Sequence, residues 1–338
     1  AQRRPPLRSR LRWRGPARAS VGLAAVKATT GSAAAEAKFG QLLRWFEDSG
    51  VEGLHGVRVG ISPLTGAGAG VFAARAFSEG EVIASVPYAL CLTADSGLPA
   101  ELGDEGRLAA SLLRERRLGA ASRLAPYVAA LPEAEAMELH PLLWPQGLRA
   151  RALFGASAQL QHLARHATMR GARLRELLAG SLSATDEEAR WATAMVETRA
   201  LVLGTPQQLL LCPFVDLVNH EVPPLGGSPG CSFRDSTADG VVQLVADRAL
   251  AEGEELSLLY DYCSSAHVFL RYGFVQRLPP EGSPFEGCFL PVLPSHLLGP
   301  GGVDAQRARI DALREAGWWR GAWRPLLLKL PDNARAGG

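Results

Sequence analysis

The chain has 338 residues, with 36 Lys or Arg against 34 Asp or Glu and a formal net charge of +2. Hydrophobic residues make up 47% and charged residues 21%, enough apolar sequence for one or two packed domains and too little charge for a disordered or coiled-coil chain. No stretch reaches the roughly 18 uninterrupted apolar residues of a membrane span. The five cysteines, Cys91, Cys212, Cys231, Cys263 and Cys288, form no Cys-x-x-Cys pair, which argues against a zinc ribbon or a disulfide framework.

Residues 1–35 carry eight basic residues and no acid. An arm rich in Arg, Ala, Ser and Pro, without an apolar core, has the composition of an organellar transit peptide and not of a secretory signal. A disordered basic arm is the other reading of it. The remainder has 28 basic against 34 acidic residues, so the body is mildly acidic, which argues against a nucleic-acid surface there.

Folded sequence is expected from Lys38. Phe39, Leu42, Leu43 and Phe46 recur at helical spacing, and Gly50 is a natural stop. Val57–Ile61 alternates as a strand, Gly66–Gly70 reads as a turn, Val71–Ala74 resumes strand character, and Val82–Val86 follows the Ser78-Glu79-Gly80 turn. Residues 55–95 therefore read as a β-meander. Residues 105–205 differ: Ala, Leu, Arg and Glu dominate, and helices are predicted over 105–118, 122–130, 155–180 and 186–200. Strands are expected again at Gln208–Cys212, Val241–Val245 and Glu255–Leu259, with Glu221–Gly230 as a Gly/Pro-rich loop. One helix is expected over 304–316, and the tail 331–338 reads as frayed.

Three segments carry chemical signals. Gly66, Gly68 and Gly70 do not make a dinucleotide fingerprint, because position 71 is Val and a strand pattern follows where a helix is needed. They suit a hairpin turn, or a cradle where a ligand lies against main chain. The run Pro213-Phe214-Val215-Asp216-Leu217-Val218-Asn219-His220 ends apolar sequence on a polar pair, which must be satisfied structurally or by a polar ligand. Tyr260, Tyr262, Tyr272 and Phe274 crowd into fifteen residues of a chain with five tyrosines, as core or as the wall of an apolar channel that favours a cation. His162 and His166 sit four apart on a predicted helix beside Arg165 and Arg170, which reads as a surface helix and not a metal site. No Gly-x-Ser-x-Gly elbow supports a serine hydrolase.

Taken in order, these segments resemble the SET-domain protein methyltransferases, in the branch of the plant Rubisco large-subunit lysine methyltransferase. The resemblance rests on Gly68-Ala69-Gly70-Val71-Phe72-Ala73 and Phe77–Ile83, on Pro126–Pro132, Pro141–Trp144 and Leu153–Ser157, and on Asp216–His220 and Tyr260 with Tyr272-Gly273-Phe274. It spans about Phe39 to Phe274. It implies a mainly β protein with a large helical insertion, an α+β chain of the SET β-clip type with knot-like C-terminal threading. Residues 1–37 would be the arm, 38–276 the SET domain with 105–205 as insertion, and 277–338 a shortened or incomplete helical substrate-binding region.

The resemblance implies S-adenosyl-L-methionine as methyl donor, held by Gly68, Ala69, Gly70, Val71, Phe72, Arg199, Asn219, His220, Tyr260 and Phe274. Tyr260 would be catalytic, Tyr272 would line the substrate channel, and no metal is implied. The expected activity is protein-lysine N-methylation, on a plastid protein such as Rubisco large subunit or aldolase if the arm is a chloroplast address; mitochondrion, cytoplasm or nucleus are the other locations. The partner would be a protein substrate, with no nucleic acid on the folded body and no membrane. A histidine, histone or ribosomal-protein methyltransferase of the same fold, or a non-catalytic peptide-binding module, are the alternatives. The chain departs from the family pattern at Ala69, Ser265 and His267.

Overall fold

The computed structural model describes residues 32–279, apart from 64–67, 138–139, 145–157, 205–206, 225–226, 237–238 and 262, together with Ala305, Ala308 and Asp311. Helix α1 spans Ser32–Asp48, starting earlier than the apolar spacing indicates, and buries Leu42 and Phe46. Gly50 ends it with φ at 85°, as a stop glycine should. Strands β1 (Val57–Ile61) and β2 (Ala69–Ala73) form an antiparallel hairpin, from Val57 opposite Ala73 to Ile61 opposite Ala69. The tip of the glycine turn, Gly66 and Ala67, lies outside the described residues.

The expected meander does not form. Strand β3 (Val82–Pro87) leaves the hairpin and pairs antiparallel with β9 (Val241–Ala246), more than 150 positions away. Alternation shows that a strand exists but not which partner it takes. Here the buried Ile83, Ala84 and Val86 of β3 join Val242 and Leu244 of β9 in one core. The resulting five-stranded sheet runs β3-β9-β8-β10-β7, with β7 at Asn219–His220, β8 at Cys231–Ser236 and β10 at Ser257–Leu258. β8 and β9 are an antiparallel pair, whereas β10 runs parallel to both β7 and β8. A separate three-stranded sheet holds β4 (Leu92–Thr93), β6 (Gln208–Leu211) and β5 (Ala200–Leu203).

Between β4 and β5 lies the helical insertion: α2 (Gly103–Leu118), α3 (Ala125–Ala130), α4 (Ala158–Leu182) and α5 (Asp186–Arg199). α2 packs on α5 and α4, burying Leu108, Leu112 and Leu113 with Leu178, Trp191 and Met195. α5 opens with a capping box: the Thr185 hydroxyl accepts from Glu188 N–H, and the Glu188 carboxyl accepts from Thr185 N–H. The chain turns from α5 into β5 at Ala200 with no Gly or Pro to mark the change, which is why residues 186–200 read as one helix. α6 covers Ser265–Tyr272. Beyond it, Ala305, Ala308 and Asp311 are helical, inside the helix expected over 304–316. No described helix is long and apolar enough to cross a membrane, and no metal-binding cluster occurs among the described residues.

Candidate active site

The site grows from a sharp corner after β6. Phe214 is fully buried with φ 74° and ψ −53°, a rare and strained conformation for a non-glycine residue. Its ring meets Phe46 of α1 edge-on at 5.8 Å and 82°. A single 3-10 turn, Val215–Leu217, then redirects the chain into β7. Val215 and Val218 anchor the turn in the core.

Asp216 sits in the same turn with its side chain wholly buried. The Tyr127 hydroxyl donates to its Oδ2 at 2.6 Å, and Arg199, at the end of α5, donates through Nη1 to the Asp216 carbonyl at 2.8 Å. Burial pushes the Asp216 carboxyl above the usual aspartate range, and the nearby Arg199 guanidinium opposes that rise. Asp216 Oδ1 and Arg199 Nε are both buried without a hydrogen-bond partner. Orphaned polar atoms of this kind mark a place where a polar ligand could complete the network.

The parallel pairing of β7 with β10 sets Asn219 opposite Ser257 and His220 opposite Leu258. The segment entering β10 also pairs with the glycine hairpin: Leu256 N–H donates to Val71 carbonyl, Ala73 N–H donates to Glu254 carbonyl, and Phe72 bridges Glu255. Asn219 closes this three-way junction. Its Nδ2 donates to the Ala69 carbonyl and to Glu255 Oε1, both at 2.8 Å. The Ser62 hydroxyl in turn donates to the Glu255 carboxyl at 2.6 Å and 2.9 Å.

Gly70 is needed for its missing side chain. A Cβ there would stand 2.4 Å from Glu255 Oε1 and 2.9 Å from Ser62 Cβ. The space that glycine frees is filled by the protein's own carboxyl group. Gly68 accepts from Ser62 N–H at 2.9 Å. Val71 is buried in the core, and Phe72 is buried with its ring beneath the Arg58 guanidinium at 4.4 Å.

His220 and Tyr260 form the other half of the corner. Tyr260 N–H donates to His220 Nδ1 at 3.1 Å, so Nδ1 carries no proton. The proton resides on Nε2, which faces Gln276 Oε1 at 3.1 Å. Burial holds the His220 pKa below its ordinary value, with the Gln276 bond opposing. The Tyr260 hydroxyl donates to the Val218 carbonyl at 2.8 Å. Burial pushes its pKa well above that of a free phenol, and pushes Tyr272 up to about 12. Both rings are therefore neutral at physiological pH.

The rings pack as a continuous wall: His220 to Tyr260 at 5.2 Å, Tyr260 to Tyr272 at 5.1 Å, His220 to Phe274 at 5.8 Å and Tyr272 to Phe274 at 6.1 Å. α6 delivers Tyr272, and Gly273, with φ 81°, ends it against the backbone of His140, whose Cα would lie 2.8 Å from a Cβ at that position. That close approach fixes Tyr272 and Phe274 against the insertion.

The structure thus brings the hairpin, the Asn219–His220 pair and Tyr260, Tyr272 and Phe274 to one place, with Arg199 beside them through Asp216. Tyr262 lies outside the described residues. His162 and His166 fall on α4, and their side chains lie outside the described set. Sequence reasoning missed Ser62, Tyr127, Glu255 and Gln276. Gly70 was the available signal for Glu255, since a glycine inside a strand marks close approach of another group.

A family model described as the SET domain matches residues 68–262, more than half of the chain. The chain belongs to the SET-domain family. Among solved structures it is similar to the SET domain of LSMT bound to lysine and AdoHcy, at TM-score 0.65 and 19% identity over 88% of this chain and 69% of that one. It is also similar to Rubisco LSMT bound to AdoMet, at TM-score 0.60 and 18% identity over 88% and 68%, and to Rubisco LSMT bound to sinefungin and monomethyllysine, at 0.63 and 19% over the same shares. At these identities the likeness establishes a shared fold, in which β strands and helices mix as an α+β domain. No curated protein matches the chain in sequence.

Proposed function

We propose that this chain is a protein-lysine N-methyltransferase using S-adenosyl-L-methionine. The observation that carries the reading is the junction of Asn219, His220 and Tyr260 inside a SET domain, walled by Tyr272 and Phe274. The residues present suit such a cofactor. Asn219 and the orphaned Arg199 Nε and Asp216 Oδ1 offer polar contacts, and the His220–Phe274 pair offers ring faces for an adenine. Similar solved structures carry AdoMet, AdoHcy and lysine or methyllysine, which supports the reading.

S-Adenosylmethionine, when bound, supplies a methyl group on a positively charged sulfur. The protein's part is alignment and electrostatics. A lysine amine must be uncharged to attack, yet its ordinary pKa is about 10.4. The neutral aromatic wall of Tyr260, Tyr272 and His220 withholds the water that stabilises the ammonium form, which lowers that pKa. Tyr260 already commits its proton to the Val218 carbonyl, so its oxygen lone pairs are what it can present to an amine N–H or a polarised methyl. With a pKa raised by burial, Tyr260 holds its proton and does not act as general base.

The acid-free arm is proposed as a plastid address and residues 277–338 as a helical substrate-binding region, which makes a plastid protein such as Rubisco large subunit or aldolase the first substrate to try. The central test is transfer of a labelled methyl from S-adenosylmethionine to a protein in plastid extract, with the modified residue mapped by mass spectrometry. Label on lysine supports the reading, label on histidine reassigns the target, and cofactor binding with no transfer to any protein overturns it in favour of a binding module. A fluorescent reporter fused to residues 1–40 tests the address, and diffuse cytosolic signal would remove it.

A further inference from the structure

We propose that Glu255 is a positioning residue that sets which end of the Asn219 amide meets the cofactor; the inference rests on the cofactor assignment above. A primary amide presents a donor end and an acceptor end of nearly equal size, and an unrestrained asparagine can offer either. Asn219 is not unrestrained. Its Nδ2 faces two acceptors at 2.8 Å, the Ala69 carbonyl on β2 and Glu255 Oε1 beside β10. Both amide hydrogens are spent on these, and the flipped amide would set its carbonyl oxygen against two oxygens. The capacity left is that of Oδ1, an acceptor.

Glu255 is itself held from behind. The Ser62 hydroxyl donates to both carboxyl oxygens, at 2.6 Å and 2.9 Å. Gly70 leaves the room this arrangement occupies, since a Cβ there would fall 2.4 Å from Oε1. Ser62 and Gly70 of the hairpin, Asn219 of β7 and Glu255 before β10 come from three separate stretches of chain and converge on one amide, an expensive arrangement for a side chain with no orientation to defend. An acceptor selects a hydrogen-bond donor, and the strongest donor on the cofactor is the ammonium of its amino-acid end, because charged donors form the stronger bonds. Glu255 then acts through Asn219 and touches no cofactor itself.

The test compares two ligands by calorimetry. S-Adenosylhomocysteine carries the amino-acid end, whereas 5′-methylthioadenosine shares the nucleoside and thioether but lacks it. Glu255→Ala is expected to weaken S-adenosylhomocysteine about tenfold, the effect of one misdirected hydrogen bond, and to leave 5′-methylthioadenosine within about twofold, which also reports that the pocket is folded. Glu255→Gln keeps an acceptor oxygen and should restore the discrimination. Ser62→Ala, a milder change, should give a selective loss of about twofold to threefold. If Glu255→Ala and Ser62→Ala both leave the ratio of the two affinities at its wild-type value, the inference is overturned alone. If the wild-type protein binds neither ligand, the cofactor assignment falls and takes this inference with it.

Discussion

In the helical insertion, Leu108, Leu112 and Leu113 of α2 meet Trp191 and Met195 of α5 in an apolar interface, and each helix there closes its backbone hydrogen bonds within its own stretch of sequence. At the Asn219–Tyr260 corner the strands are two residues long and the decisive contacts are single hydrogen bonds between residues 36 to 193 positions apart. The insertion spreads its stabilisation over many interchangeable contacts, so it tolerates change in any one polar group. The corner concentrates its geometry in a few atoms, so a small substitution there should cost function while leaving the fold intact.

The sharpest contrast comes from Trp191→Ala. The indole is buried, donates to the Pro132 carbonyl at 2.9 Å and lies under the Arg116 guanidinium at 4.0 Å. Its removal is expected to destabilise the protein by about 3–5 kcal/mol in urea unfolding, with cofactor affinity unchanged below the melting temperature. A large loss of affinity in the folded variant would erase the distinction between the two regions. Tyr260→Phe should do the reverse, lowering kcat about a hundredfold while affinity for S-adenosylhomocysteine stays within about twofold. A near-normal turnover would remove the hydroxyl from the chemistry.

Asn219→Ala comes next, with an expected loss of about tenfold in cofactor affinity by calorimetry; unchanged affinity would displace the pocket from this corner. The smallest effect belongs to the insertion's surface. Thr185→Ala should cost about 1 kcal/mol through loss of the α5 cap, with no change in turnover. The Arg117 hydrogen bond and the Thr185 N–H hold Glu188 down to about 2, from 4.5. A depressed carboxyl stabilises the fold above its unfolded value, so this contribution is present above pH 4.5 and disappears as pH falls towards about 2. Acid unfolding of Glu188→Gln should therefore be flatter across that window than that of the wild type.

Legibility in the sequence followed the same divide. Helices expected over 105–118 and 186–200 lie within a few residues of Gly103–Leu118 and Asp186–Arg199, because a 3.6-residue period is written locally. Strand β8 was invisible, since Cys231–Ser236 has no clean alternation, and β3 was given the wrong neighbour, since pairing is a tertiary choice. Asn219 and His220 stood out because a polar pair after apolar residues needs partners. Those partners, Ala69, Glu255 and Gln276, are separated from it by up to 150 positions, and no local pattern connects them.

The strained Phe214 gives α1 a stake in the corner. Holding such dihedrals costs of order 1–3 kcal/mol, and the ring is pinned by Phe46, which precedes the family-matched span of residues 68–262. A fragment trimmed to that span would unpin the bend from which Asn219 and His220 are launched. Expression boundaries for this protein should accordingly be drawn upstream of α1, and a series of N-terminal truncations should show ligand affinity collapsing once Phe46 is cut away.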